Sequence, residues 1–68
     1  MSEQTFTVAG MTCGHCVQSV TEEVGGIAGV TGVEVDLPTG AVTVRAAGEI
    51  SVAEVRGAVE EAGYQLTA

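Results

Sequence analysis

Val17, Val20, Val24 and Ile27 fall at i, i+3, i+7 and i+10, and Val52, Val55, Val59 and Ala62 repeat those offsets in the second half of the chain. Each set draws an apolar stripe down one side of an α-helix, with Gln18, Glu22 and Glu23 turned away in the first. Valine is a mediocre helix former because branching at Cβ restricts its rotamers, so neither helix is expected to stand alone. Both stripes need an apolar surface to cover, and the segments between them supply it as strands.

Thr5 to Ala9 alternates, with Phe6 and Val8 on one face and Thr5 and Thr7 on the other, which predicts a strand buried on one side. Val33, Val35 and Leu37 alternate with Glu34 and Asp36, and Val42, Val44 and Ala46 alternate with Thr43 and Arg45. The connector Pro38-Thr39-Gly40 fits a tight turn with proline second and glycine fourth, which makes the two runs a β-hairpin with one apolar face. Ser51 followed by Glu54 has the spacing of a capping box and opens the second helix. Gly25-Gly26 should end the first helix and Gly63 the second, because glycine takes the left-handed cap conformation without a steric penalty. Tyr64 to Leu66 makes a last short strand.

The order is βαββαβ, a duplicated half-unit forming one domain over residues 1–68. Two helices on one face of a four-stranded antiparallel sheet is the ferredoxin-like α+β sandwich. This topology brings three connections to one end: the loop after the first strand, the Pro38–Gly40 turn and the Gly63-Tyr64 junction. A local function belongs there.

The loop after the first strand reads Gly10-Met11-Thr12-Cys13-Gly14-His15-Cys16 and holds both cysteines, the single histidine and one of two methionines. The start Met1-Ser2-Glu3-Gln4 has no signal-peptide character, and no apolar run approaches the roughly 18 residues of a membrane span, so a cytoplasmic setting is expected. In that reducing compartment Cys13 and Cys16 read as a metal or redox pair and not as a staple. Cys16 falls in the first helical turn, where free amides and the positive end of the helix dipole favour a thiolate, and the spacing lets both sulfurs point the same way. Two converging thiolates suit a soft ion content with two ligands, such as Cu(I); Hg(II) shares that preference. A structural zinc site needs four ligands, while the chain offers two thiolates and at best one imidazole, so zinc would need a partner or a second copy. A thioredoxin-like protein needs a larger fold and a proline beside the disulfide, whereas Pro38 sits in the hairpin turn; a small thiol-disulfide sensor is the alternative function. Residual negative charge on the loaded pair would be costly to desolvate, which predicts a solvent-facing site.

The loop sequence between strand and helix, together with Glu60-Glu61-Ala62-Gly63-Tyr64 before the last strand, resembles the heavy-metal-associated domain, most of all the bacterial cytosolic copper chaperones. The resemblance covers Thr5 to Leu66. It implies Cu(I) held by Cys13 and Cys16 and passed by thiolate exchange to the metal-binding domain of a copper-transporting P-type ATPase, without covalent catalysis. The chain would then be a carrier and not an enzyme, either a freestanding chaperone, a domain of the exporter, or a mercury carrier of the same family. Met11 is expected to plug the core beneath the loop, and the resemblance agrees. His15 is expected to face solvent and to tune proton and copper affinity. Tyr64 stands where similar bacterial chaperones carry tyrosine and is expected to pack over the thiolates. Gly10 and Gly14 are assigned to the backbone of the loop. The apo chain is expected to be a monomer, with copper-bridged dimers when loaded.

Nine acidic residues oppose only Arg45 and Arg56, a formal charge of −7. Such a chain repels nucleic-acid phosphates and anionic membrane surfaces. Glu22, Glu23, Glu60 and Glu61 should lie on the helical side of the sheet, which makes that side the expected docking surface for a basic partner.

Overall fold

The computed structural model describes residues 2–11 and 14–67. Its elements are β1 (Ser2–Ala9), α1 (Gly14–Gly25), β2 (Val30–Asp36), β3 (Ala41–Ala46), α2 (Val52–Glu61) and β4 (Gln65–Leu66). They form one antiparallel sheet in the order β2-β3-β1-β4, the expected ferredoxin-like arrangement. Alternation along β1 and β3 sends Phe6, Val8, Val42 and Val44 to one face, where they meet Val20, Val24, Val55 and Val59 from the two helices in a single core. Val20, Val24, Val42, Val44 and Val59 are completely buried. Each such side chain removed from water contributes roughly 1.5–3 kcal/mol, which is what holds two valine-rich helices in place.

Strand β1 begins at Ser2 and not at Thr5, because its neighbour extends it: Ser2, Glu3 and Gln4 pair with Ala46, Arg45 and Val44 of β3. On the outer face Arg45 donates to Glu3 at 2.8 Å and to Glu34 at 3.1 Å, and the Thr5 and Thr43 hydroxyls lie 3.1 Å apart. The hydrogen bond to Glu3, followed by that to Glu34, raises the Arg45 pKa above its ordinary value. Exposed pairs of this kind are screened, so they add little stability.

The buried stripe of α1 is Cys16, Val20 and Val24; Val17 is only half-buried and Ile27 lies beyond the helix, still packed on the core. The helix stops at Gly25 as expected, yet the left-handed glycine that reverses the chain is Gly29, at φ +88°. Between them the backbone tightens: Gly26 N–H donates to Glu22 O at 3.1 Å and Ile27 N–H to Val24 O at 3.2 Å. Carbonyls at the helix end are thus satisfied by the next turn before any left-handed residue is needed.

The hairpin also closes differently from a turn with Pro38 second and Gly40 fourth. Gly40 N–H donates to Asp36 O at 2.8 Å, and the Thr39 hydroxyl donates to the Asp36 carboxylate at 2.9 Å. Leu37 is therefore part of the turn, and β2 ends one residue short of it.

Ser51 caps α2, its hydroxyl accepting from Glu54 N–H at 3.3 Å. At the other end Gly63 (φ +96°) donates to Glu60 O at 2.9 Å and Tyr64 N–H to Val59 O at 3.0 Å, the paired bonds of a Schellman cap. Tyr64 belongs to that cap, which shortens β4 to Gln65–Leu66. Val52 leaves the apolar stripe and stands 41% exposed at the start of the helix, while Val55 and Val59 carry the packing.

Candidate metal centre

The chain leaves β1 at Ala9 and turns through Gly10, whose φ of +98° suits glycine alone among the common residues. A Cβ at Gly10 would meet Tyr64 Cδ1 at 3.2 Å, so the tyrosine ring rests directly on the start of the loop. Gly40 (φ +75°) holds the neighbouring hairpin turn against the same place: its carbonyl accepts from Val8 N–H at 2.8 Å. All three connections expected at one end of the sheet are thus found together, as far as the described residues reach.

Met11 is partly buried and packs against the core. His15 is exposed, and Tyr64 is half-buried against the core. Cys16 lies in the first turn of α1 with only 8% of its surface exposed, so the expectation of a solvent-facing site does not hold at this residue. The reason is helical phase: Cys16 precedes Val20 and Val24 by one and two turns, and those valines point into the core. Cys13 lies outside the described residues, as does Thr12. Gly14 is the first residue of α1, and a Cβ there would meet nothing within 4 Å, so the loop does not require glycine for close approach at that position.

Among the described residues no three His, Cys, Asp or Glu side chains gather to hold an ion, and the acidic groups Glu22, Glu23, Glu60 and Glu61 are all exposed. Val8, read from the sequence only as a buried strand residue, also ties this end together through its backbone. Its bond to Gly40 joins segments far apart in the chain, and local sequence carries no signal for it.

The fold and the sequence define a ferredoxin-like domain whose strand-to-helix segment carries a Cys-x-x-Cys sequence, with Met11 packed on the core and the Tyr64 ring against Gly10. The chain belongs to the heavy-metal-associated domain family, which matches it over residues 5–65. Over 67 residues it is 40% identical to the copper chaperone CopZ of Bacillus subtilis (strain 168), covering 97% of each chain. The copper chaperone CopZ of Staphylococcus aureus (strain MRSA252) is 37% identical over 67 residues, covering 97% of this chain and 98% of the other. A solved structure of a CopZ metallochaperone superposes with a TM-score of 0.91 at 34% identity, covering 97% of this chain and all of that one. Membership makes the chain a metal-associated carrier domain and not an enzyme. No helix among the described residues is long and apolar enough to cross a membrane.

Proposed function

We propose that the chain is a copper chaperone that binds Cu(I) through Cys13 and Cys16 and transfers it to the metal-binding domain of a copper-transporting P-type ATPase. The observation that supports this most is the placement of Cys16 in the first turn of α1, at the positive end of the helix dipole and three residues after Cys13 in the chain. Two thiolates satisfy a monovalent soft ion without a third ligand and leave it room for an incoming sulfur.

Transfer proceeds by exchange of one sulfur at a time. A thiolate of the partner bonds to the copper while both cysteines still hold it; one Cu–S bond to the chain then breaks and its sulfur departs as thiolate. A second partner sulfur repeats the step. Copper stays monovalent throughout, so no oxidant or reductant takes part. Met11 keeps the loop seated on the core, Tyr64 packs over the site from the α2 cap, and exposed His15 adjusts the affinity for protons and copper.

The carrier works in the cytoplasm as a monomer when apo, and copper-bridged dimers form when two loaded loops share sulfurs. Glu22, Glu23, Glu60 and Glu61, exposed on the two helices, steer it to a basic partner surface, so the transfer rate falls with added salt.

Native mass spectrometry of the reduced chain with Cu(I), under anaerobic conditions, tests the reading. One copper per wild-type monomer, lost from both Cys13→Ser and Cys16→Ser while circular dichroism shows them folded, is the expected result. A wild-type chain that ignores Cu(I), or a double variant that retains it, refutes the proposal. A disulfide formed at cytosolic potential with no copper uptake would favour the thiol-disulfide sensor, and tighter retention of Hg(II) in competition would favour the mercury carrier.

A further inference from the structure

Strand β4 is two residues long and covers only the end of β1, pairing Leu66 with Val8 and Gln65 with Ala9; the last bond of the ladder runs from Thr67 N–H to Thr7 O at 2.8 Å. Val8 N–H points the other way, to Gly40 O in the β3 turn. Backbone groups alternate along a strand, so those of Thr5 and Glu3 share the direction of Thr7 and point to the β4 side. Among the described residues no strand stands opposite them there. An open edge of this kind is a template for an added strand.

Beside it runs a groove of about 200 Å³, lined by Gln4, Phe6, Val52, Arg56, Leu66 and Thr67. Val52 is the exposed large hydrophobic residue that left the core stripe. Arg56, one turn further along α2, makes no ion pair among the described residues, whereas Arg45, the other cation, is engaged by two carboxylates. In a chain of charge −7 an uncommitted arginine beside an apolar patch and an open strand edge is the local exception.

We propose that this groove docks an extended segment of another protein, which adds as a strand beside Glu3–Thr5 and presents one apolar side chain to Val52 and one carboxylate to Arg56. The spacing fits: residues two apart on a strand lie roughly 6.6 Å apart on one face, and residues four apart on a helix rise about 6 Å. Backbone bonds would supply affinity, and the alternating side chains specificity. The net negative charge of the chain opposes an acidic segment only at long range, where salt screens it within about 8 Å at physiological strength. The metal loop takes no part, so the proposal stands or falls independently of copper.

The probe is an acetylated, amidated peptide, Val-Thr-Asp-Thr-Val, which offers the same face in either strand direction, and its control is Val-Thr-Lys-Thr-Val. Titration into the isotope-labelled, reduced, apo full chain is followed by amide resonances. Expected are shifts confined to Glu3, Thr5, Val52, Arg56 and Thr67, slower hydrogen exchange at the Thr5 amide, and binding about fivefold weaker for the lysine peptide and for Arg56→Gln. Absence of shifts up to about 5 mM peptide overturns the proposal, that concentration marking the weak end of specific recognition. So does binding indifferent to Arg56→Gln. Shifts at the same amides that grow with protein concentration alone would assign the edge to a second copy and equally overturn it.

Discussion

Val8 N–H donates to Gly40 O at 2.8 Å, and the position a Cβ would take on Gly40 lies 2.8 Å from Val8 O. The hairpin turn is therefore seated on the last residues of β1, just before the cysteine loop, by a contact that only glycine permits.

Gly40→Ala meets that contact and must also hold φ at +75°. Left-handed backbone costs a residue with a Cβ about 1–2 kcal/mol, and displacing Val8 adds to it. A loss of about 2 kcal/mol lowers the melting midpoint of a domain this size by roughly 10 °C. An unchanged thermal transition would contradict the close seating of the turn.

Gly57 and Gly14, unlike Gly40, should accept a side chain. Gly57 is inside α2 and a Cβ there meets nothing within 4 Å, so Gly57→Ala is expected to stabilise by about 0.5–1 kcal/mol through reduced unfolded-state freedom. Gly14, at the start of α1 in equally open space, should tolerate alanine without loss. Urea midpoints with unchanged slopes measure both effects.

The valine stripe of α2 is not uniform. Val59→Ala removes a fully buried side chain and should cost about 2 kcal/mol, whereas Val52→Ala, at an exposed site, should stay within about 0.5 kcal/mol. Equal losses at the two positions would show that Val52 packs in solution.

Gly10→Ala forces a Cβ to within 3.2 Å of the Tyr64 ring at a φ of +98°. Tyr64 is the single tyrosine and the chain has no tryptophan, so its fluorescence reports the displacement without interference. An emission change together with a lower melting midpoint is expected; identical spectra would separate the ring from the loop.

Cys16, only 8% exposed, behaves as a small apolar residue in the packing of α1. Cys16→Ala should hold the fold to within about 1 kcal/mol and still abolish copper uptake, since an alanine keeps the apolar contact and removes the thiolate. Loss of the fold with Cys16→Ala, judged by circular dichroism, would show that the thiol is chiefly a core element.

Alternation of apolar and polar residues and the two helical stripes announced four strands and two helices in their order, and residue type marked Cys13 and Cys16 as the candidate soft ligands, because these properties are local. Cys16 and Val17 are neighbours, however, and periodicity places an apolar face only to within about one residue's rotation. The sheet chose the phase that buries Cys16. Likewise β1 reaches back to Ser2 because β3 offers Ala46, Arg45 and Val44 to pair with it. Gly29 takes the left-handed turn expected at Gly25-Gly26, since α1 first satisfies its end carbonyls by tightening. The sequence by itself determined which elements form and which side chains can hold a soft metal; tertiary structure alone decided the rotation of α1, the length of β1 and the seating of Gly40 on Val8. Periodicity and side-chain chemistry act between near neighbours in the chain, whereas strand pairing and close backbone contact depend on partners that meet only after the chain has folded.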